Sequence, residues 1–235
     1  MFSLATKFVP DLPGFRTAFE AGFRAAEFWL DPELLGETDR IANLASEFPF
    51  RYALHFPNHG PISADALRSA VSLYRRLDCT AIVIHQPMFD QYAPALQELA
   101  PQVSLAVENH ILDLPRFERW ADHNPGLTLD VEHLWKFTLH DAPLTTLLEQ
   151  VELFLQRHAD KLHHVHLPGY QPGGEEHHPI HHSVEMASEV LTLLDAHGFT
   201  KLVVSEADTP FQTQEVLSQD VLFFERWKQA STVMQ

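Results

Sequence analysis

The sequence predicts an α/β protein, a closed (β/α)8 barrel that residues 1–235 form as a single domain. Short apolar segments, typical of parallel strands covered on both faces, alternate along the whole chain with segments of helical periodicity. The length of 235 residues matches the roughly 200 to 250 residues of such a barrel, and no change in composition divides the chain.

Eight segments have the pattern of strands. They are, in order, FSLATKF, FRAAEFWL, RYALHF, TAIVIHQP, VSLAVENH, GLTLDVEH, LHHVHLPG and KLVVSE. A helical segment follows each of them, which is the alternation of a barrel with right-handed crossovers. An open doubly wound sheet is the alternative, and it is disfavoured because no glycine-rich nucleotide-binding loop follows the first strand.

The predicted helices are PGFRTAFEAG and residues 32–48, 63–77, 92–100, 114–121, 142–158, 184–197 and 214–230. Asp31, Ser63 and Ser183 are the predicted N-caps of three of them, because short polar side chains accept hydrogen bonds from the first helical turn. Gly198 is predicted to end the seventh helix.

Composition restricts the class of partner and the compartment. The chain has 32 Asp and Glu against 16 Lys and Arg, a formal charge of −16, which argues against a nucleic-acid partner. No segment has the roughly 20 apolar residues of a membrane helix, and MFSLATKFVP lacks the pattern of a signal peptide. With Cys79 as the one cysteine, we expect a cytoplasmic protein; the sequence leaves its oligomeric state open.

Seven of the eight strand segments end in, or just before, a carboxylate or an imidazole. These residues are Glu27, His55, His85, Glu108, Asp130, His166 and Glu206. The carboxyl ends of the strands form the active-site face of a (β/α)8 barrel. The sequence therefore predicts a ring of potential metal ligands at that face.

Four members of this ring come from the last four strands: Glu108, Asp130, His166 and Glu206. Three carboxylates and one imidazole suit a divalent ion such as Mn, Mg, Co or Zn. Carboxylates buried together would repel one another without a cation. We therefore predict a metal site here. Glu27 is instead expected to pair with an arginine of the barrel.

Other residues are candidates for additional metal or substrate contacts. His55, His85 and His133 could ligate a second ion or hydrogen-bond a substrate, and the sequence does not choose between these roles. The segment GGEEHHPIHHS after the seventh strand is either a lid over the site or merely His-rich in composition. Glu176 and His178 are its candidate site residues.

These segments resemble the xylose-isomerase-like TIM barrels, the superfamily that includes endonuclease IV and many sugar isomerases and epimerases. The resemblance extends from about Phe23 to Glu206. Its most specific parts are ALHFP, IVIHQP, LAVENH, LDVEH, HVHLPG, EHHPI and VVSEAD.

The two branches of the superfamily imply different sites. The epimerase branch implies one metal ion on Glu108, Asp130, His166 and Glu206, with Glu108 and Glu206 as the acid/base pair and His133 bonding the substrate. The endonuclease IV branch implies three zinc ions on nine residues: His55, His85, Glu108, Asp130, His133, His166, Glu176, His178 and Glu206. Glu176 stands where that branch has aspartate, and HLPG stands where the superfamily commonly has H-L-x-D.

The leading prediction is a metal-dependent sugar isomerase or epimerase that binds one to three divalent ions and transfers a proton beside a carbonyl of a small carbohydrate. One alternative is a multi-zinc hydrolase, a phosphodiesterase or abasic-site nuclease. Another is a non-catalytic binder of a metal or sugar. The acidic charge favours the small carbohydrate, and the sequence indicates no basic cluster beyond Lys136 near the strand ends.

Overall fold

The computed structural model describes residues 2–233 and contains the closed parallel barrel that the sequence predicts. Each strand pairs in parallel with the next one along the chain, and the eighth pairs with the first. The strands are β1 (Ser3–Phe8), β2 (Ala25–Trp29), β3 (Arg51–His55), β4 (Ile82–His85), β5 (Leu105–Glu108), β6 (Leu127–Asp130), β7 (Leu162–His166) and β8 (Leu202–Ser205).

Helices surround the barrel, and the main apolar core lies between them and the strands. They are α1 (Leu12–Ala21), α2 (Thr38–Ala45), α3 (Ala64–Arg76), α4 (Gln86–Leu99), α5 (Leu114–His123), α6 (Val131–His133), α7 (Leu144–His158), α8 (Val184–Ala196) and α9 (Gln214–Val233). Among residues 2–233, no helix combines the length and the apolar character that crossing a bilayer requires.

Most predicted helix ends have a local physical cause in the structure. The Ser63 hydroxyl accepts a hydrogen bond from the Ala66 amide, so the predicted N-cap of α3 is confirmed. Gly198 ends α8 with a φ of 70°, a left-handed conformation that glycine adopts without steric cost. Asp31 also caps a turn, by accepting from the Leu34 amide at 2.8 Å, but a short 3-10 helix intervenes before α2 begins.

One predicted N-cap and one predicted helix start are wrong. The Ser183 hydroxyl does not cap α8, because it donates to the Tyr170 carbonyl at 2.6 Å and so ties the helix start to the loop after β7. Helix α4 begins at Gln86, directly after β4, rather than at residue 92. His85 is its extended N-cap residue and a proline lies in its first turn, where a missing amide costs no hydrogen bond.

The interior of the barrel consists of two chemically different layers. The lower layer is mostly apolar and fully buried: it includes Ala5, Ala25, Ala53, Leu202 and Val204, together with the polar Thr128 and His164 of β6 and β7. Side chains alternate along a strand, so residues two positions further on face the same interior. In β1, β2, β3 and β8, that step leads from an apolar side chain to an ionisable one. The upper layer comprises Lys7, Glu27, His55, Glu108, Asp130, His166 and Glu206.

Candidate metal centre

A cavity of about 250 Å³ opens above the upper layer, at the carboxyl ends of the strands. It is bordered by all but three of the residues predicted for the site. Those that border it are His55, His85, Glu108, His133, Glu176 and Glu206. Asp130 and His166 lie fully buried directly beneath it, in contact with these residues.

Glu108 lies at the centre of the cluster. One carboxylate oxygen, Oε2, is 3.1 Å from Nε2 of His55 and 3.3 Å from Nε2 of His85. The other, Oε1, is 3.4 Å from Nδ1 of His133 and 3.5 Å from Nδ1 of His166. Because its two oxygens face different histidine pairs, Glu108 belongs to two adjacent groups of potential ligands.

His166 brings the remaining carboxylates together. Its Nδ1 lies 2.9 Å from Oε2 of Glu206 and 3.7 Å from Oδ2 of Asp130. All three of these atoms are buried, and none has a hydrogen-bond partner within residues 2–233. Buried polar atoms are normally hydrogen-bonded, so converging and unpartnered oxygen and nitrogen atoms fit a site for a divalent cation.

Around the cavity, groups of three residues offer ligand atoms that lie within 4.8 Å of one another. They are Glu108–Asp130–His166, His55–His85–Glu108 and His133–Glu176–His177. The groups are adjacent, and the first two share Glu108. The geometry therefore leaves room for one to three ions.

Glu27 orients His166 from below. The prediction that Glu27 pairs with an arginine is wrong. Its Oε2 atom lies 2.6 Å from Nε2 of His164 and accepts a hydrogen bond from Nε2 of His166 at 3.1 Å. The second ring nitrogen of His166, Nδ1, is thereby directed at the carboxylates above. A carboxylate behind a histidine ligand fixes its tautomer and its orientation. Burial alone would raise the pKa of Glu27, but His166 and His164 hold it well below its usual range.

Lys7 is a site residue that sequence reasoning missed. Its ammonium contacts the Glu206 carboxylate and lies 3.6 Å from Oε1 of Glu27. Burial by itself would lower the pKa of Lys7, but the negative charges of Glu206 and Glu27 raise it above the ordinary value. The available signal was the alternation of FSLATKF, which puts Lys7 on the same inward face as Ala5.

Asp130 and His133 are fixed by their own local structure. The His133 amide donates to Oδ1 of Asp130 at 2.7 Å, so the D-x-x-H spacing is that of an N-cap that turns both side chains into one cavity. Burial lowers the pKa of His133, but the charges of Asp130 and Glu108 outweigh it and raise the pKa to about 10. The neighbouring Glu132 is buried beside Asp130, and its pKa is raised to about 9 by burial and by that charge.

Two residues of the LAVENH motif were also missed. The Asn109 side chain donates to the Asp130 carbonyl at 2.9 Å and accepts from the Asp130 amide at 2.7 Å, so it holds the backbone of Asp130 in place. The His110 ring lies between His85 and His133, with centroid distances of 5.0 and 4.9 Å. Only their position directly after Glu108 could have indicated these roles.

In the His-rich segment, the structure places His177 rather than His178 at the cavity. Glu176 accepts a hydrogen bond from Lys136 at 2.7 Å, and the His177 amide donates to Glu132 at 3.0 Å. Both Glu176 and His177 border the cavity. The His178 ring instead packs on Phe211, at a centroid distance of 4.9 Å, and does not border it.

Gly169 explains why HLPG follows β7. Its backbone pairs with His178 in an antiparallel bridge, so the His-rich segment is anchored at the strand end. A Cβ atom at position 169 would lie 2.0 Å from the Pro179 carbonyl oxygen. This close approach requires glycine and gives the departure from H-L-x-D a structural reason.

No protein-family profile matches the chain, and no curated protein matches it in sequence. Solved structures do match. Endonuclease IV from Thermus thermophilus is 15% identical, with a TM-score of 0.65 over 97% of this chain and 99% of that one. The chain has the fold of the xylose-isomerase-like TIM barrels.

Sugar epimerases with this barrel fold match to a similar extent. D-allulose 3-epimerase from Methylomonas sp. is 13% identical, with a TM-score of 0.63 over 96% of this chain and 98% of that one. L-ribulose 3-epimerase is 16% identical, with a TM-score of 0.57 over 100% of this chain and 98% of that one. The predicted resemblance to xylose-isomerase-like barrels is thus confirmed for the fold.

Proposed function

We propose that this xylose-isomerase-like barrel is a metal-dependent isomerase or epimerase of a small carbohydrate. The observation that carries the proposal is the placement of Glu108 and Glu206. Their carboxylates approach the same atom, Nδ1 of His166, to 3.5 and 2.9 Å from strands on either side of it. Two carboxylates around one centre can remove a proton from a carbon beside a carbonyl and return it.

The donor set fits a metal ion. Glu108, Asp130, His166 and Glu206 would hold it, since three of them contribute buried atoms that lack hydrogen-bond partners among the described residues. A bound divalent ion would polarise the carbonyl group and stabilise the negative charge that develops on its oxygen.

The charges of Glu108, Glu206 and Lys7 suit proton transfer to and from a sugar. Burial would raise the pKa of Glu108 and of Glu206, but His166 holds both well below the usual range. Both are therefore ionised at neutral pH and able to accept a proton. Lys7 borders the same cavity and contacts Glu206, so its ammonium can donate to a substrate oxygen beside that base.

A small carbohydrate is in keeping with the cavity and the overall charge. The space above the carboxylates, about 250 Å³, suits a small molecule. The Methylomonas D-allulose 3-epimerase has been solved in complex with D-allulose, so a barrel of this fold accommodates a free ketose. The charge of −16 argues against a nucleic-acid substrate.

A second candidate function is multi-metal hydrolysis of a phosphoester. The observation that favours it is the pair of outer ligand groups, His55–His85–Glu108 and His133–Glu176–His177. Proton transfer at a single ion does not need them. Clustered metal ions could generate a hydroxide and bind the phosphoryl oxygens.

Isotope exchange tests the leading proposal. The Mn²⁺-loaded protein is incubated in D₂O with a panel of ketoses, and NMR detects deuterium on the carbon beside the carbonyl. We expect exchange with at least one ketose. Loss of exchange in Glu108→Gln and in Glu206→Gln by a factor of about 10² to 10⁴, in variants shown by metal analysis to keep their Mn²⁺, would assign the acid and base. The exposed Glu189→Gln on α8 is the matched control and should retain full exchange.

Metal stoichiometry separates the two functions. The absence of exchange with every ketose, together with two or three ions per chain and cleavage of bis(p-nitrophenyl) phosphate, would replace the isomerase proposal by the hydrolase. In that case His55→Ala, which removes a ligand of an outer group, should abolish cleavage. For the isomerase, His55→Ala should leave one bound ion and measurable exchange.

A further inference from the structure

A second and larger cavity adjoins the metal centre. Its volume is about 850 Å³, and it lies between the loop after β3, the start of α4 and the segment from β5 through α5. Four residues border both cavities: Asn58, His85, Glu108 and His110. A single ligand can therefore occupy the metal centre and extend into this space, which we term the α5 groove.

One wall of the α5 groove is basic, in a protein of net charge −16. Arg116, Arg119 and His123 border it and follow one another along α5 at helical spacing, so they share one face. Arg119 has no ion-pair partner within residues 2–233, and Arg116 has only an exposed contact with Asp113 at 3.6 Å. Sequence reasoning found no such cluster, because these residues belong to a helix rather than to a strand end.

The other groups of the groove suit an organic ligand with a charged end. Ile111 is 60% exposed there, which gives the groove an apolar part. Trp120 also borders the groove, and its buried indole nitrogen has no hydrogen-bond partner among the described residues. Two acids also border the groove: Asp90 on the facing helix, which accepts a hydrogen bond from the Gln86 side chain at 2.7 Å, and Glu108 at the end next to the first cavity. Two guanidinium groups with little local compensation are typical of phosphate and carboxylate recognition.

We propose that the α5 groove binds the anionic end of an acidic sugar derivative, a phosphate monoester or a carboxylate, while its reacting carbon lies at the metal centre. This inference rests on the proposed function for the sugar part, but the anion subsite can be tested without turnover. Arginine recognises the two anions through the same bidentate hydrogen bonds, so the experiments distinguish them.

The first experiment detects the anion at the arginines themselves. The metal-loaded protein is treated with phenylglyoxal, and peptide mass spectrometry follows the modification of each arginine with and without inorganic phosphate or acetate. We expect the anion to slow modification of Arg116 and Arg119 several-fold. Arg16 on α1 and Arg226 on α9 are exposed references that should be unaffected. If neither anion slows modification of Arg116 and Arg119 more than that of Arg16 and Arg226, the subsite is overturned.

The second experiment measures ligand preference by calorimetry with fructose, fructose 6-phosphate and galacturonate. Charge-assisted hydrogen bonds predict that at least one acidic sugar binds about tenfold or more tightly than fructose. Arg116→Gln/Arg119→Gln should remove that preference and leave the affinity for fructose unchanged. Arg16→Gln/Arg226→Gln, with the same change in net charge, should keep it.

The outcomes separate this inference from the proposed function. A preference confined to the phosphate ester or to the uronate identifies the anion. Acidic sugars that bind no more tightly than fructose, or a preference that survives Arg116→Gln/Arg119→Gln, would overturn the inference even if deuterium exchange is observed. Protection of Arg116 and Arg119 without deuterium exchange in any sugar would instead retain the anion subsite and refute the isomerase.

Discussion

The two layers inside the barrel differ by a single two-residue step along the strands. Below the step, Ala5, Ala25 and Ala53 belong to a fully buried apolar cluster inside the barrel. Above it, Lys7, Glu27 and His55 occupy the same inward faces and are almost as deeply buried. Burial alone therefore does not decide which residues are tolerated. Charged groups persist in the upper layer because each has a partner of opposite charge or an imidazole beside it.

The largest expected effect comes from placing a charge in the lower layer. Ala53→Asp would bury a carboxylate beside that of Glu27, the register partner of Ala53 on β2, and we expect it to lower the free energy of unfolding by about 3 to 5 kcal/mol. Urea denaturation of the purified protein measures the change. Ala64→Asp, at the exposed first position of α3, should have little effect. A mild effect of Ala53→Asp would mean that the lower layer can hydrate or rearrange.

Removing the support beneath the metal centre should have the next largest effect. Glu27→Gln keeps the size of the side chain but loses the charge that orients His166 through Nε2. Carboxylates behind metal-bound histidines contribute about 10- to 100-fold to metal affinity, so we expect a loss of that size. Competition with a fluorescent chelator measures it, and Glu189→Gln is the control. Unchanged affinity would show that Glu27 does not orient a ligand.

Metal binding should depend on pH because histidines of the candidate site hold protons that a metal ion must replace. The pKa of His133 is about 10 and that of His166 lies well above its usual value, so both are protonated at neutral pH. A metal ion must displace these protons, so affinity should rise with pH, by about tenfold per pH unit for each proton released. Calorimetry in buffers of different ionisation enthalpy counts the protons. An affinity that stays constant from about pH 6 to 9 would contradict the raised pKa values.

The smallest effect is expected for an ion pair outside the barrel. Arg76 contacts Asp39 between α3 and α2, and the Asp39 side chain is 93% exposed. Arg76→Gln should change the free energy of unfolding by less than about 1 kcal/mol, because water and salt screen exposed pairs. Urea denaturation at low and high salt tests this. A loss comparable with that of Ala53→Asp would remove the distinction between buried and exposed charges.

Strand patterns in the sequence were sufficient to predict the fold and the position of most residues of the candidate site. Glu108, Asp130 and His166 each end a short apolar run, and the fixed alternation and direction of parallel strands bring such ends together. Their roles as metal ligands remain predictions. The start of α4 was missed because the helix follows β4 without a loop, so no turn residue marks the boundary.

Loop and helix residues were harder to place. His177 and His178 are chemically identical neighbours, and the difference between them is the bridge between Gly169 and His178, which joins two distant chain segments. The partners of Glu27 were also unpredictable, because His164 and His166 lie far away in the sequence. Local patterns contain no information about such contacts.

The sequence by itself determined the barrel and the type of chemistry at its mouth. Hydrophobic periodicity is a local property, and the residue at a strand end fixes whether oxygen or nitrogen ligands face the cavity. Only the tertiary structure decided that Lys7 contacts Glu206, that Glu27 contacts His166, and that the basic face of α5 borders a groove beside the candidate metal centre. These features arise where separate elements pack together, and packing is set by the closed barrel as a whole.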